Sequence, residues 1–391
     1  MDAQTADSKT SASGEQRAHI ESTGSIQEEK AGRTFPCEGC GADLVFNIGV
    51  QRLKCEHCGF TKTIELSPDA AVVEQDFEAV LARLRERRGR ESQQDPERSV
   101  GKQLHCRDCG AVVRFEGTVT ATECAYCGAP AQLEDIQSSD DQEPVDGVLA
   151  FRVERTTAQE HLVNWVRSRW FAPGEFTKRG VQGRFNGVYL PYWTFDSLTA
   201  TYYTGRRGEH YFVTVGSGKN RRTVMRTRWY PASGAFQRLF DDLLVVASTG
   251  IPTKRVEALE PWPVHQCTPF SPALLAGFLA RTYDVQPDAG FAQARQRMAD
   301  TLREDVRARI GGDVQQIDTM HVRYDAVTYK HLLLPVWMMA YRFGKKSYQV
   351  VVNACTGEVQ GDRPWSWIKI AGFVLALSGA AAAIGLFAAN Q

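Results

Sequence analysis

The sequence has no net charge and lacks the motifs of several large enzyme classes. Its 46 basic residues balance 46 acidic ones over 391 residues, a length that suits two or three domains. No histidine is followed by glutamate and no G-x-S-x-G occurs, which excludes the zinc-protease helix and the hydrolase nucleophile turn. The Gly-Ser-Gly-Lys segment at 216–219 fails as a phosphate loop, because Val213 stands where the first glycine should be and Asn220 replaces the metal-binding hydroxyl. We therefore expect a hairpin turn at 216–219 and a protein that is not an enzyme.

The N-terminal region also lacks an apolar run. Residues 1–34 are polar, which predicts a disordered segment and excludes a signal peptide within it. A chain that is not secreted keeps its cysteines reduced, so they are available for metal binding.

Eight of the ten cysteines form one pattern that occurs twice, each copy reading C-x2-C-x14-C-x2-C with a glycine after every pair. This is the spacing of a zinc ribbon, in which one tight turn aims two sulfurs at one ion. The glycines tolerate the backbone angles that such turns require. We predict two structural Zn²⁺ ions, bound by Cys37, Cys40, Cys55, Cys58, Cys106, Cys109, Cys124 and Cys127. The alternative is two disulfides per copy, which suits secreted chains.

The C-terminal end is strongly apolar. No charged residue occurs from Ile370 to Asn390, and about 20 helical residues cross a bilayer core. Trp365, Trp367 and Lys369 precede this segment, as interfacial aromatic residues and cytoplasmic positive charge do. We predict a transmembrane helix over 368–390, which forms a single-pass C-terminal anchor in the cytoplasmic (inner) membrane with the bulk of the chain in the cytoplasm. The alternative is a buried, alanine-rich helix.

Composition divides the rest of the chain into ordered units and linkers. We predict a first ribbon over 35–66, a linker helix within 67–103, a second ribbon over 104–133, an acidic linker over 134–147 and a mixed domain over 148–364. The linker helix is expected at 72–90, where apolar residues recur at helical spacing.

The 148–364 domain is predicted to be mixed α+β with antiparallel strands. Thr157 and Glu160 form a capping box for one helix, and a second helix is expected over 288–310, before two glycines. A similar strand start follows each helix, Leu-Pro-Tyr-Trp at 190–193 and Leu-Pro-Val-Trp at 334–337. This similarity predicts an internal duplication of a helix plus antiparallel hairpins. The fold class is therefore α+β, with two small four-cysteine zinc ribbons, this domain and one C-terminal transmembrane helix.

A basic cluster surrounds the predicted hairpin turn. It consists of Arg206, Arg207, Lys219, Arg221, Arg222, Arg226 and Arg228. Such a cluster suits contact with anionic lipid headgroups or with an acidic partner segment. It equally suits a solvated strand edge that charge protects from pairing.

The ribbons themselves carry the wrong charge for nucleic acid. Residues 35–60 hold two basic and three acidic side chains, and residues 104–130 hold the same numbers. Four thiolates around one Zn²⁺ add about two negative charges to each ribbon. Because phosphate binding depends on basic groups that release counterions, we expect contact with protein rather than with nucleic acid.

Several motifs together resemble a bacterial family of TFIIB-type zinc-ribbon membrane proteins, often labelled primosomal-helicase-like. They are the doubled C-x2-C-G ribbons, the two Leu-Pro-x-Trp strand starts, the Val-Asn-Ala-Cys-Thr-Gly-Glu-Val run at 352–359 and the C-terminal apolar segment. The chain is also similar to the zinc-ribbon membrane proteins of phage-shock and flotillin-type membrane-stress systems. The resemblance implies recruitment of soluble partners to a bilayer, whereas the missing phosphate loop excludes helicase activity.

These observations predict a membrane-anchored adaptor or scaffold that recruits cytoplasmic or membrane protein partners to the cytoplasmic membrane face, in a membrane-stress response. One rival hypothesis is a nucleic-acid-binding protein of replication or transcription. A second rival is an enzyme whose site lies in the 148–364 domain, where His265, Asp284 and His321 are candidates by location alone. The remaining cysteines, Cys267 and Cys355, are expected to be buried thiols.

Overall fold

The structure, a computed structural model, describes most of the chain. The described residues are 35–65, 71–91, 102–105, 112–115, 121–123, 130–132, 136–138, 143–171, 173, 184–249, 251–343, 346–362 and 365–389. The helices are α1 (Phe77–Glu91), α2 (Arg155–Arg167), α3 (Thr253–Glu257), α4 (Pro287–Ile310) and α5 (Trp367–Ala389).

The strands range from two residues to more than thirty. They are β1 (Leu44–Asn47), β2 (Arg52–Cys55), β3 (Thr61–Lys62), β4 (Gln75–Asp76), β5 (Lys102–His105), β6 (Val112–Phe115), β7 (Ala121–Glu123), β8 (Pro130–Gln132), β9 (Ile136–Ser138), β10 (Gly147–Val148), β11 (Arg184–Val215), β12 (Arg222–Val246), β13 (Thr268–Pro269), β14 (Leu279–Ala280), β15 (Val314–Phe343), β16 (Lys346–Asn353) and β17 (Val359–Gly361).

Most of the body is one largely antiparallel sheet with the strand order β12-β11-β15-β10-β13. β11 pairs with β15 from Arg184 opposite Ala340 to Gly208 opposite Val314. β14 joins β11 in parallel, and β16 and β17 follow beside β15. The predicted fold class, α+β with two ribbons, a mixed domain of repeated hairpin units and a transmembrane helix, is therefore wrong. The body is built mainly from three very long strands of a single sheet, β11, β12 and β15. One four-cysteine cluster lies among the described residues.

Glycines inside the strands explain why the sequence concealed their length. Gly205, Gly208 and Gly234 interrupt the pattern of β-favouring residues along these strands. In the sheet, a Cβ atom at Gly205 would lie 2.3 Å from the Gln316 carbonyl oxygen, and one at Gly234 would lie 2.8 Å from the Tyr203 hydroxyl. These glycines allow a neighbouring group to approach a continuous strand closely. They therefore mark close packing rather than strand ends.

The two helix–strand units contact each other through their tryptophans. Trp193 Nε1 donates to the Val285 carbonyl oxygen at 2.8 Å, and Val285 lies just before α4. Trp337 Nε1 donates to the Val153 carbonyl oxygen at 2.8 Å, and Val153 lies just before α2. The two Leu-Pro-x-Trp motifs face each other across the β11–β15 pair. A tryptophan of β11 is therefore hydrogen-bonded to the segment just before α4, and a tryptophan of β15 to the segment just before α2. Both strands belong to the same sheet.

The helix α2 begins earlier than the sequence predicts. It starts at Arg155, and its N-cap residue makes no side-chain cap bond. The predicted capping box of Thr157 and Glu160 is therefore wrong. A tertiary contact holds the chain at this point instead, because the Val153 N–H donates to the Ala354 carbonyl oxygen at 2.7 Å.

The C-terminal helix α5 corrects the predicted membrane anchor. Within the part of the chain that the structure describes, no helix is long and apolar enough to cross a bilayer. The predicted span over 368–390 and the predicted inner-membrane location are therefore wrong. At its start, α5 lies against the body, where Phe373 contacts Trp170 and Phe171.

The far part of the sheet is a three-stranded extension that we call the blade. It consists of residues 198–215 of β11, 222–239 of β12 and 314–323 of β15. Successive residues of a strand project to opposite faces. Odd-numbered residues of β11 and their cross-strand partners form the helix face, where Tyr203 packs against Val306 and Ile310 of α4. Even-numbered residues and their partners form the open face, where Tyr202 and Leu239 are more than half exposed.

Candidate metal centre

The four cysteines of the first ribbon converge on one point. Cys37 and Cys40 precede β1, Cys55 ends β2 and Cys58 follows it. Their sulfur atoms all lie within 4.8 Å of one another. Cys37 and Cys55 are buried, whereas Cys40 and Cys58 are exposed. This cluster could hold a metal ion.

Two matching backbone turns place these sulfurs. The Gly41 N–H donates to the Cys37 carbonyl oxygen at 2.8 Å, and the Gly59 N–H donates to the Cys55 carbonyl oxygen at 3.0 Å. Both glycines have positive φ angles, 70° and 79°, which favour glycine over residues with a side chain. The local sequence C-x2-C-G therefore closes each turn without help from the rest of the protein.

The geometry fits a tetrahedral thiolate site. Zn–S bonds of about 2.3 Å imply sulfur–sulfur separations of about 3.8 Å. The Cys37–Cys58 and Cys40–Cys55 sulfur distances are 3.4 Å and 3.5 Å, far longer than the roughly 2.05 Å of a disulfide bond. Backbone N–H groups of the turn, that of Cys58 first, lower the pKa of the Cys55 thiol to about 6, whereas neighbouring thiols, that of Cys37 first, raise the pKa of Cys58 to about 12. A lower pKa favours the thiolate, the form that binds metal.

The ribbon is packed into the core of the body. Leu44, Phe46 and the two buried cysteine ligands share one hydrophobic cluster with Phe151 and Trp337. The Phe46 N–H donates to the Ala276 carbonyl oxygen at 3.0 Å. Gln51 Nε2 donates to the Phe151 carbonyl oxygen at 2.9 Å. The order of the metal site and the packing of this side of the body therefore depend on each other.

A cleft of about 530 Å³ lies between the ribbon and the body. Its lining includes Phe46, Phe185, Phe278 and Trp337, together with the polar residues Arg155 and Asn186. The rings of Phe185 and Trp337 are stacked, with centroids 5.5 Å apart. Because Phe46 belongs to β1, the width of the cleft depends on the position of the ribbon.

The other cysteines fall into two groups. The ligands predicted for the second ribbon, Cys106, Cys109, Cys124 and Cys127, lie outside the described residues. Cys267 and Cys355 lie within the body, where burial raises the pKa of each thiol to about 12. Such thiols are protonated at neutral pH and are poor nucleophiles. Both residues are only partly buried, so the predicted full burial is not observed.

The predicted basic cluster is divided between the two faces of the blade. Arg206 projects to the open face and pairs with Asp318 at 3.3 Å. Arg207, Arg222, Arg226 and Arg228 share the helix face, beyond the end of α4. Arg221 lies at the hairpin turn before β12, and the side chain of Lys219 is outside the described set. The sequence grouped these residues by proximity, whereas strand alternation separates them.

Sequence reasoning missed a buried polar cluster beside β10. The ring of His331 lies 4.6 Å from that of Trp193, and its Nδ1 lies 3.2 Å and 3.0 Å from the carbonyl oxygens of Glu143 and Pro144. Burial lowers the pKa of His331 to about 4, so the neutral ring donates from Nδ1. The Asp146 carboxylate accepts from the His331 N–H at 2.7 Å. Glu143 and Asp146 belong to the predicted acidic linker over 134–147, because composition does not distinguish exposed from buried carboxylates.

The three residues proposed for an enzymatic site lie in different surroundings. Asp284 accepts from the N–H and hydroxyl of Thr249 at 2.7 Å and 3.1 Å. His321 lies opposite Tyr202 on the blade, and His265 contacts its neighbour Gln266. No hydrogen bond that the structure describes joins any two of the three.

Comparisons with known proteins give one informative similarity. The chain is 24% identical over 348 residues to the uncharacterized protein YdjG of Bacillus subtilis (strain 168), an alignment that covers 88% of this chain and 94% of that protein. No family model matches the chain, and no solved structure matches it. The chain is thus similar to YdjG over nearly the full length of both proteins.

Proposed function

We propose that this chain is a non-enzymatic adaptor that binds protein partners, and that Zn²⁺ in its ribbons stabilises it. The observation that carries the proposal is the exposed helix face of the blade beyond α4, where Arg222, Arg226 and Arg228 project from one strand. A packed sheet thus supports a basic surface that lies away from the core of the body.

Aromatic side chains on this surface support a role in protein binding. Arg228 lies over the Tyr211 ring at 5.2 Å, and Arg207 lies over the Tyr230 ring at 5.5 Å. Such stacking restricts the guanidinium groups before a partner arrives, which reduces the entropy lost on binding. Tyrosine and arginine are also enriched at the centres of protein interfaces. The surface therefore suits an acidic protein segment that also contains apolar residues.

The proposed metal is Zn²⁺, at one ion for each set of four cysteines. A site made only of thiolates in a tetrahedral arrangement favours Zn²⁺ over hard cations such as Mg²⁺ or Ca²⁺. The same C-x2-C-G pattern recurs at Cys106, Cys109, Cys124 and Cys127, which supports a second ion there. A site closed by four protein ligands leaves no coordination position for a substrate, in keeping with a structural role.

The metal proposal is tested by elemental analysis of the purified full-length chain. We expect two zinc equivalents per chain, and one equivalent in a Cys55→Ser/Cys58→Ser variant. A Cys267→Ser variant is the matched control, because its thiol lies outside both sets, and it should retain two equivalents. Iron or no metal in place of zinc, or two equivalents in the Cys55→Ser/Cys58→Ser variant, would contradict the proposal.

The binding proposal is tested with a fluorescent 12-residue peptide of alternating glutamate and leucine, and with single-stranded DNA and anionic lipid vesicles as competing classes of ligand. We expect peptide affinity to fall by roughly 30-fold or more in an Arg222→Glu/Arg226→Glu variant, because each substitution adds like-charge repulsion at the centre of the surface. The control is Arg303→Glu/Arg307→Glu on α4, which changes the same charge at exposed positions elsewhere.

The outcomes of this experiment separate the hypotheses. Equal peptide binding by the wild-type chain and the Arg222→Glu/Arg226→Glu variant would overturn the assigned surface. Tighter binding of DNA than of peptide at physiological salt would favour the nucleic-acid hypothesis. Preference for the vesicles would favour lipid headgroups as the partner of this surface.

A further inference from the structure

Within the part of the chain that the structure describes, the open face of the blade carries several exposed apolar side chains. The exposed large apolar residues that strand alternation places on this face are Leu198, Tyr202, Phe212, Met225, Trp229, Leu239 and Val314. The opposite face of the same strands is covered by α4 near Tyr203. Several exposed large apolar residues on one sheet face are more typical of an interaction surface than of a solvated one.

The charges on the open face are paired within the face. Arg206 pairs with Asp318 at 3.3 Å, and Arg323 pairs with Asp325 at 2.8 Å. A like surface can therefore approach without burying an unpaired charge, which would otherwise be costly. In a twofold contact both partners present the same patch, so this internal neutrality removes one obstacle to self-association.

The size of the open face matches a stable interface. From Leu198 to Gly208 the blade has three strands about 4.8 Å apart, and from Gly208 to Phe212 it has two, so at about 3.3 Å per residue the face is roughly 45 Å long and narrows from roughly 14 Å to 10 Å. Two copies would then bury on the order of 1,200 Å², which lies at the lower end of specific, stable interfaces.

The outer edge of the blade is a poorer site for self-association. β12 forms that edge, and Pro231 near its middle has no N–H to donate to a further strand. Arg222, Arg226 and Arg228 along the same strand would repel their own copies in an added strand. Face-to-face packing avoids both problems, because stacked sheets interact through side chains about 10 Å apart.

We infer that the open face of the blade is a homodimer interface, in which two copies of this chain stack their blades face to face about a twofold axis. The dimer presents two copies of the basic helix face on its outer sides. The inference does not depend on what that basic surface binds.

The test is the mass of the full-length chain in solution, measured by sedimentation velocity and by light scattering over a concentration series. We expect the wild-type chain to have twice the monomer mass. In a Tyr202→Glu/Trp229→Glu variant we expect the dimer dissociation constant to rise by roughly 100-fold or more, because both aromatic residues lie within the stacked area. The matched control is Tyr211→Glu/Val215→Glu, which places the same new charges on exposed residues of the opposite face and should remain dimeric.

Two further measurements guard against loss of folding. The circular dichroism and thermal melt of each variant should match those of the wild-type chain. Leu239→Gln is a milder substitution on the same face, at a position that is 66% exposed. A photo-crosslinking amino acid at position 202 should form a covalent dimer joined within the blade. A wild-type chain that is monomeric at about 100 µM, well above typical dissociation constants of stable dimers, would overturn the inference. A dimer that survives Tyr202→Glu/Trp229→Glu, or crosslinks that fall outside the blade, would also overturn it.

Discussion

At the scale of single residues, His331 shows how burial determines the chemistry of a side chain. The ring is enclosed by Trp193 and Tyr283, with ring centroids 4.6 Å and 5.5 Å away. Nearby carbonyl oxygens accept its Nδ1–H, and burial lowers its pKa to about 4. The residue is a neutral part of the core at pH 7, so its presence does not by itself indicate catalysis.

We predict that His331 makes the protein less stable as the pH falls. The folded-state pKa of about 4 lies below the unfolded value of about 6.5, so the unfolded chain binds a proton that the folded protein excludes. The stabilisation is complete above pH 6.5 and is lost as the pH falls towards 4, by up to about 3 kcal/mol. Urea unfolding from pH 7.5 to 4.5 measures this loss.

A His331→Gln variant is the control, because it removes the titrating ring and keeps a hydrogen-bond donor. Burial raises the pKa of Asp196 to about 6, which opposes the effect of His331 in both proteins. The difference between the two proteins at each pH therefore isolates the histidine. Parallel stability curves for wild type and variant would contradict the prediction.

At the scale of elements, the seating of α4 on the sheet depends on a missing side chain. A Cβ atom at Gly290 would lie 2.6 Å from Trp193 Cδ1, and that indole is hydrogen-bonded to the Val285 carbonyl oxygen. The buried stripe of α4 continues through Ala294 and Met298 to its C-terminal end. A glycine that weakens the isolated helix therefore permits the closest contact between helix and sheet.

We predict that Gly290→Ala destabilises the protein by about 1–3 kcal/mol, because the added methyl group overpacks a filled site. Helix propensity alone would favour alanine by up to about 1 kcal/mol, so the two effects have opposite signs. The free energy of unfolding in denaturant decides between them. Gly372→Ala on α5, where a Cβ atom meets nothing within 4 Å, is the control and should be neutral or stabilising. An increase in stability for Gly290→Ala would show that the helix can shift away from Trp193.

At the scale of the whole molecule, the four-cysteine ribbon and the body form one hydrophobic core on that side. Cys37 and Cys55 belong to the cluster that contains Phe151 and Trp337, and Gly277 lies against Val45 of the ribbon with a positive φ of 85°. Since metal binding supplies most of the folding energy of a small ribbon, loss of metal should affect the body as well.

We predict that chelation of the metal lowers the melting temperature of the whole chain. Hydrogen exchange should increase in β1, β2 and the 275–279 segment, because the hydrogen bond from the Phe46 N–H to the Ala276 carbonyl oxygen depends on an ordered ribbon. Exchange in the blade should stay unchanged, and added Zn²⁺ should reverse the effect. Faster exchange confined to residues 35–62 would show that the ribbon and the body are energetically independent.

The sequence by itself determined the features that depend on near neighbours. The C-x2-C turns with Gly41 and Gly59 and the end of α4 at Gly311 occur where the pattern predicts them, and the hairpin turn predicted at 216–219 lies within the 216–221 connection. In each case a few adjacent residues set the backbone angles, so local chemistry is sufficient.

Only the tertiary structure decided which surfaces are covered. It pairs β11, β12 and β15 in one sheet. It places the tryptophan of each Leu-Pro-x-Trp motif in a hydrogen bond with the segment just before the other unit's helix, and it buries Glu143 beside His331. It also divided the basic cluster between two faces of the blade. Most of these outcomes depend on contacts between residues far apart in the sequence, such as Trp193 with Val285 at 92 positions and His331 with Glu143 at 188. The local sequence is the same whether a distant segment covers a side chain or leaves it in solvent.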